Sequence, residues 1–305
     1  MRWEDLRSSD NVEDRRGEGG GGGGMGFPGG GAGGLGIGTI VVLLIISYFT
    51  GINPAILIGG AQQIGGGGGG RSQQEQVDPQ TQAKRRQAPT DESGRFASKI
   101  LGNTEDVWSQ ILPQQTGKQY TPTTLVLYTG GTRSGCGSAQ AAMGPFYCPL
   151  DKKVYLDTGF FKEMASKFGV KGDFAYAYVI AHEVGHHVQD VLGILGKVQQ
   201  RQQQASSKTE ANALSVRIEL MADCLAGVWA KNSNDKYAEL EQGDIDEALN
   251  AAAQIGDDAL QQRSRGYVVP DSFTHGSSAQ RQRWFMAGYK SGQTKSCDTF
   301  RTANN

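Results

Sequence analysis

The chain has 305 residues, with 30 Lys and Arg against 31 Asp and Glu and a formal net charge of −1. That length holds one good-sized domain with accessory segments, and nothing in so even a charge balance points to a basic nucleic-acid surface or a polybasic membrane patch. The anomaly is glycine: 45 residues, concentrated towards the N-terminus, make the chain compositionally two parts joined together.

Residues 1–18 carry mixed charge without apolar periodicity, which predicts an unstructured tail. From Gly19 to Gly70 there is not one Asp, Glu, Lys or Arg. Residues 19–34 read as a Gly-rich linker and residues 35–58 as a transmembrane helix, since about 20 apolar residues rising about 1.5 Å each cross a bilayer. Tyr48 falls at an interfacial position. A cleaved signal peptide and a buried soluble helix are the competing readings. Against the first, the preceding segment is long and contains acids, and no A-x-A site follows. Arg2, Arg7, Arg15 and Arg16 precede the run and the next basic residue is Arg71. The positive-inside rule therefore expects a single-pass protein with its N-terminus cytoplasmic and its main domain periplasmic or otherwise extracytoplasmic. Residues 59–92, rich in Gly and Gln with Pro79, Pro89 and the cluster Lys84-Arg85-Arg86, predict a flexible tether.

Periodic order begins near Ser93 and defines a domain over residues 93–305. "SGRFASKILGNTEDVWSQILPQ" has helical apolar spacing, while "TTLVLYT" (Thr123–Thr129) and "KKVYLDT" (Lys152–Thr158) are β-like. Helices are then expected from Asp173 to about Gly193, from Ser206 or Thr209 to about Lys231, over Asp244–Ile255, and over Ala279–Ser291. This is a helix-rich α+β arrangement with a small antiparallel sheet. Cys136, Cys148, Cys224 and Cys297 all follow the apolar run, an even set that fits an oxidising compartment. Of the three pairings, the short loop favours Cys136–Cys148 with Cys224–Cys297 as complement; a free buried thiol is the alternative for Cys224.

The chemistry concentrates in "VIAHEVGHHVQD". On a helix His182 and His186 are i and i+4, so both rings can share one Zn²⁺. Glu183, about 100° round from His182, can reach a water on that metal as general base. His187 points about 140° away from His182 and is expected to pack or support rather than bind. A metzincin needs Gly and His where this chain has Gln189 and Leu192, so the third ligand must come from elsewhere. "RIELMADCLAG" offers Glu219 and Asp223, again i and i+4, on a helix too apolar to hold two acids without partners. Glu219 is the expected third ligand, and Asp223 the acceptor for the outer N–H of a ligating histidine. A buried salt bridge to Arg217 or Lys231 is the alternative. His275, with Arg281 six residues on, is a candidate for stabilising an oxyanion.

His182-Glu183-x-x-His186, Glu219-x-x-x-Asp223 and His275 with Arg281 together resemble the gluzincin metallopeptidases. Membrane-associated members carry H-P-x-x-x-x-R late in the domain, where this chain has "HGSSAQR" with Gly276 in place of Pro. With "MRWEDLRSSDNVEDRRG", "FYCPLDKKVYLD", "AHEVGHHVQ" and "ELMADCLAG", nearly the whole chain is similar to the bacterial "putative neutral zinc metallopeptidase" family. The resemblance implies a gluzincin-like domain that binds one zinc ion and cleaves protein or peptide substrates. It also suggests that "KKVYLDT", overlapping "GPFYCPLDKKVYLD", is an edge strand lying antiparallel to the substrate backbone, an ordinary sheet strand being the alternative. A non-catalytic zinc-organised interaction module and a zinc hydrolase of a non-protein amide are the rival expectations. The oligomeric state is not legible.

Overall fold

The computed structural model describes residues 1–18 and 78–301. The Gly-rich linker of residues 19–34, the expected transmembrane helix of residues 35–58 and the tether as far as residue 77 lie outside the described residues, as do residues 302–305. Among the described residues no helix is long and apolar enough to cross a membrane.

Strand β1 (Val12–Asp14) lies in the segment expected to be a tail. Part of the expected tether is helical: α1 (Pro79–Arg85) starts with Pro in its first turn and is capped by Asp78, whose carboxylate accepts from the Gln80 and Thr81 amides. Helix α2 (Glu92–Thr116) is capped by Asp91 and stopped by Gly117 at φ 73°, a left-handed position that glycine adopts freely. Then come β2 (Thr124–Tyr128), the hairpin β3 (Gly131–Ser134) and β4 (Gly137–Gln140), β5 (Phe146–Cys148) and β6 (Lys153–Asp157). Seven helices follow: α3 (Phe160–Phe168), α4 (Asp173–Val191), α5 (Ile194–Gln203), α6 (Lys208–Tyr237), α7 (Asp244–Gln254), α8 (Asp257–Arg265) and α9 (Ser278–Ser291). The architecture is helix-rich α+β.

The main sheet has the order β1-β2-β6-β5, and it is mixed rather than antiparallel. β1 and β6 both run parallel to β2, and only β5 runs antiparallel to β6; the antiparallel β3–β4 hairpin is a separate sheet. The alternation that marks a strand carries no direction, and the 129–152 connection is long enough to return the chain to the end of the sheet where β2 began.

The helical core is built on α4 and α6. Phe174, Ala177, Tyr178, Ile180, Ala181 and Val184 of α4 are buried against Leu220, Leu225 and Val228 of α6 and Phe285 of α9. Gly185 lets α4 and α6 meet backbone to backbone: a Cβ there would stand 3.0 Å from the Ala222 carbonyl oxygen. At Gly288 of α9 a Cβ would fall 1.9 Å from the Cys224 carbonyl oxygen, so α9 can seat against α6 only with glycine there. Two disulfides add covalent ties. Cys136–Cys148 joins the hairpin turn to β5, and Cys224–Cys297 joins α6 to the C-terminal turn.

The expectation of a tail at residues 1–18 is corrected. Met1, Trp3, Leu6 and Val12 are all less than a tenth exposed and belong to the same core as α2 and α4; burying such side chains contributes about 1.5–3 kcal/mol each. Trp3 donates its indole N–H to Asp173 at the start of α4 and packs edge-on against Phe96. The buried carboxylate of Glu105 on α2 accepts from Ser9 Oγ, Asn11 Nδ2 and Arg7 at 2.6, 2.8 and 2.9 Å. Arg16 reaches Asp91 and Glu18 pairs with Arg85, so the residues on either side of the uncharged stretch sit side by side. The folded unit therefore includes residues 1–18 as well as the chain from residue 78. Strand pairing cannot be made through a bilayer, so a cytoplasmic N-terminus with the domain on the opposite side is incompatible with this fold.

Candidate metal centre

Helix α4 carries the H-E-x-x-H stretch in a run whose other residues are almost all apolar and buried, so the histidines arrive in a rigid, dry setting. Helix α6, started by Ser207 accepting from the Glu210 amide, crosses it and brings Glu219 opposite. His182 Nε2 lies 3.1 Å from Glu219 Oε2, and His186 Nε2 lies 3.5 Å from Glu219 Oε1. One ligand atom from each of His182, His186 and Glu219 falls within 4.8 Å of the others. Two imidazoles and one carboxylate, with one position left open, is the donor set of catalytic zinc.

Behind His182 lies a charged cluster. Its Nδ1 is 2.8 Å from Asp223 Oδ1, which also accepts from the Tyr178 hydroxyl at 2.6 Å. Arg281 grips the same carboxylate with Nε on Oδ2 and a terminal nitrogen on Oδ1, both at 2.9 Å. Asp223 is 0% and Arg281 3% exposed, so this pair is out of water. Arg281, expected near the oxyanion, is instead occupied with Asp223; the expected alternative partners of the acid, Arg217 and Lys231, are bonded to the Thr299 carbonyl and Asp235. Burial alone would take the proton from His182, but the charge and hydrogen bond of Asp223, with Glu219 beyond, hold its pKa up at about 10. Burial also opposes the charge on Asp223, yet Arg281 and His182 bring it down to about 2. Glu219 is held well below the usual carboxylate range against its burial by the two histidines.

Glu183 and His275 line the same cleft of about 620 Å³ as His182, His186 and Glu219. His275 is half exposed, with Nδ1 3.3 Å from Asp257 Oδ1. Burial works against its proton, but the Asp257 hydrogen bond and the Glu219 charge raise its pKa. The Asp257 carboxylate also accepts the amides of Thr274, His275 and Gly276, fixing the loop that presents the ring. Gly276 sits at φ 94°. Proline, locked near −65°, cannot adopt that conformation, which accounts for its absence from "HGSSAQR".

Phe160 and Phe168 of α3, Leu195 and Val198 of α5 and Ile218 of α6 make much of the cleft apolar. The strand beside it is β5, through Phe146 and Tyr147, and not β6, which is interior to the sheet. β5 pairs only with β6, so its other edge is unpaired by any strand among the described residues. Tyr147 had no role in the sequence reading. Its hydroxyl donates to Asp190 at 3.0 Å and lies 3.1 Å from His187 Nδ1, while His187 Nε2 donates to the Thr121 carbonyl at 2.6 Å. His187 thus leaves the ligand face, as its angle predicts, and ties α4 to the sheet.

The whole arrangement has relatives. A family profile described as "Putative neutral zinc metallopeptidase" matches residues 1–300. The uncharacterised protein YpfJ of Escherichia coli (strain K12) is 50% identical over 301 residues, covering 98% of this chain and 99% of that one. The uncharacterised protein Mb2605 of Mycobacterium bovis is 46% identical over 214 residues, covering 67% and 69%. No solved structure matches.

Proposed function

The chain belongs to this family of neutral zinc metallopeptidases, and from that premise we propose that it is a gluzincin-type zinc endopeptidase, anchored to a membrane, acting on proteins or peptides. The observation that carries the reading is the convergence of His182, His186 and Glu219 beside Glu183 in one open cleft. Bound there, zinc would supply the positive charge that acidifies water and polarises a scissile carbonyl.

The chain's own residues do the rest. Glu183 takes a proton from the attacking water and passes it to the leaving amine. His275, its proton retained by Asp257, donates to the oxygen on which negative charge develops. The unpaired edge of β5 offers backbone donors and acceptors to an extended peptide, a mode that needs little side-chain selection. Against a purely structural metal stand the three ligands, where such sites have four, and a carboxylate that structural zinc has no use for.

The uncharged run supports attachment to a membrane from the one side that residues 1–18 and the domain share, since a single crossing would separate β1 from β2, and the two disulfides favour an oxidising, extracytoplasmic space. Residues 1–18 would occupy that same space. Glu183→Gln is expected to keep a full zinc complement and to lose cleavage of an unfolded protein such as casein. Cleavage at the wild-type rate would refute the mechanism. Zinc retention with no cleavage by either protein would favour an interaction module, and cleavage confined to a cell-wall amide would favour a non-protein substrate.

A further inference from the structure

Gln189 entered the sequence argument only as the residue that rules out a metzincin. It lies one turn after His186 on α4, is 0% exposed, and has both ends of its amide engaged. Its Nε2 donates to the Ile218 carbonyl on α6 at 2.7 Å, and its Oε1 lies 3.1 Å from His186 Nδ1.

The second contact follows from the first. A backbone carbonyl can only accept, so the amide must turn its NH₂ group towards Ile218. Reversing the amide would press two oxygens together at 2.7 Å, with no proton between them. The Gln189 oxygen is therefore left facing His186, and an oxygen can only accept, so Nδ1 of His186 must be the protonated nitrogen. That leaves the Nε2 lone pair free, on the side of the ring where Glu219 Oε1 stands 3.5 Å away. Ile218 immediately precedes Glu219, so the same side chain also ties the backbone beside the third ligand to the helix of the first two.

The geometry assigns Gln189 as a positioning residue of the metal centre: through one amide it selects the metal-binding tautomer of His186 and sets the Glu219 helix against the histidine helix. The two histidines are then supported differently. His182 leans on the carboxylate Asp223, whose charge Arg281 offsets, while His186 leans on a neutral amide. A neutral partner orients the second ring without a further negative charge near the cation, whose positive charge the proposed chemistry needs. The assignment concerns metal binding and stands whether or not peptides are the substrate.

The test is Gln189→Met, which keeps most of the side chain's length and bulk and removes both hydrogen bonds. The Ile218 carbonyl keeps its own helical partner, being inside α6, so the metal-free fold is expected to melt close to the wild-type temperature. Zinc affinity, read by competition with a chromophoric chelator, is expected to fall about ten- to hundredfold. An unchanged affinity would overturn the assignment. So would a loss of affinity matched by a large drop in the melting temperature of the metal-free protein, since that marks a packing role only. A second measurement needs no variant: ¹⁵N-histidine spectra of the wild-type zinc form should show His186 with Nδ1 protonated and Nε2 bound. Binding through Nδ1 would overturn the inference directly.

Discussion

Arg281 admits two roles with different consequences, and Arg281→Met separates them. One is the sequence-based expectation of a guanidinium near the oxyanion. The other is the observed grip on Asp223, through two bonds of 2.9 Å between groups that are 3% and 0% exposed. Removing the guanidinium leaves the Asp223 carboxylate buried with only Tyr178 and His182. Breaking a buried pair in this way costs about 3–5 kcal/mol, or about 6–20 °C in melting temperature for a domain of this size. Asp223 orients His182, so zinc affinity should also fall about ten- to hundredfold. Loss of an oxyanion donor would instead lower kcat about 10²–10³-fold while leaving zinc and stability alone. The assay is thermal unfolding in excess chelator together with zinc competition. Unchanged melting and unchanged zinc affinity, with kcat alone reduced, would refute the clamp.

Zinc binding should be linked to pH through His182. Its pKa near 10 in the metal-free protein means that its proton must leave before the metal binds. Apparent affinity should therefore rise about tenfold per pH unit between roughly pH 7 and 9, and a flat profile would refute the shift. The sign for stability is opposite: the metal-free fold has the full contribution of His182 below its unfolded pKa near 6.5, and loses it as pH rises through about 10. The placement of residues 1–18 is tested with Asp5→Cys and Lys118→Cys, both exposed, labelled by an impermeant maleimide on intact cells or spheroplasts. Both positions should label together or be protected together, and labelling of one alone would refute a shared compartment.

The candidate metal-binding group was legible because helical spacing is strict. His182 with His186 and Glu219 with Asp223 each stand four apart, and two acids on an apolar helix demand partners. The sheet was less legible: strand runs were visible, but parallel pairing and the edge position of β5 depend on where a connection returns the chain. Arg281 lines the expected cleft, and its guanidinium is held by Asp223. Like the two acids on α6, an arginine near Trp284 and Phe285 on a buried helix needs a buried partner of opposite charge, and Asp223 is one.

The N-terminal segment failed for a reason that generalises within this chain. Its order is almost wholly long-range: three residues of strand, four buried apolar side chains, and polar groups whose partners lie on α2 and α4. No local period announces such a segment. Its complement was nonetheless visible on α2, where Glu105 falls on the apolar stripe between Leu101 and Trp108 and cannot be buried unpaired. Arg7, Ser9 and Asn11 satisfy it, and Arg15 and Arg16 are likewise paired with Glu13, Asp14 and Asp91. The positive-inside rule counts arginines as free charges flanking an apolar run. Here Arg7, Arg15 and Arg16 are engaged in the folded unit, so their number carries no information about which side of a membrane the N-terminus occupies. The strand pairing gives only a shared side: wherever β2 resides, β1 resides too.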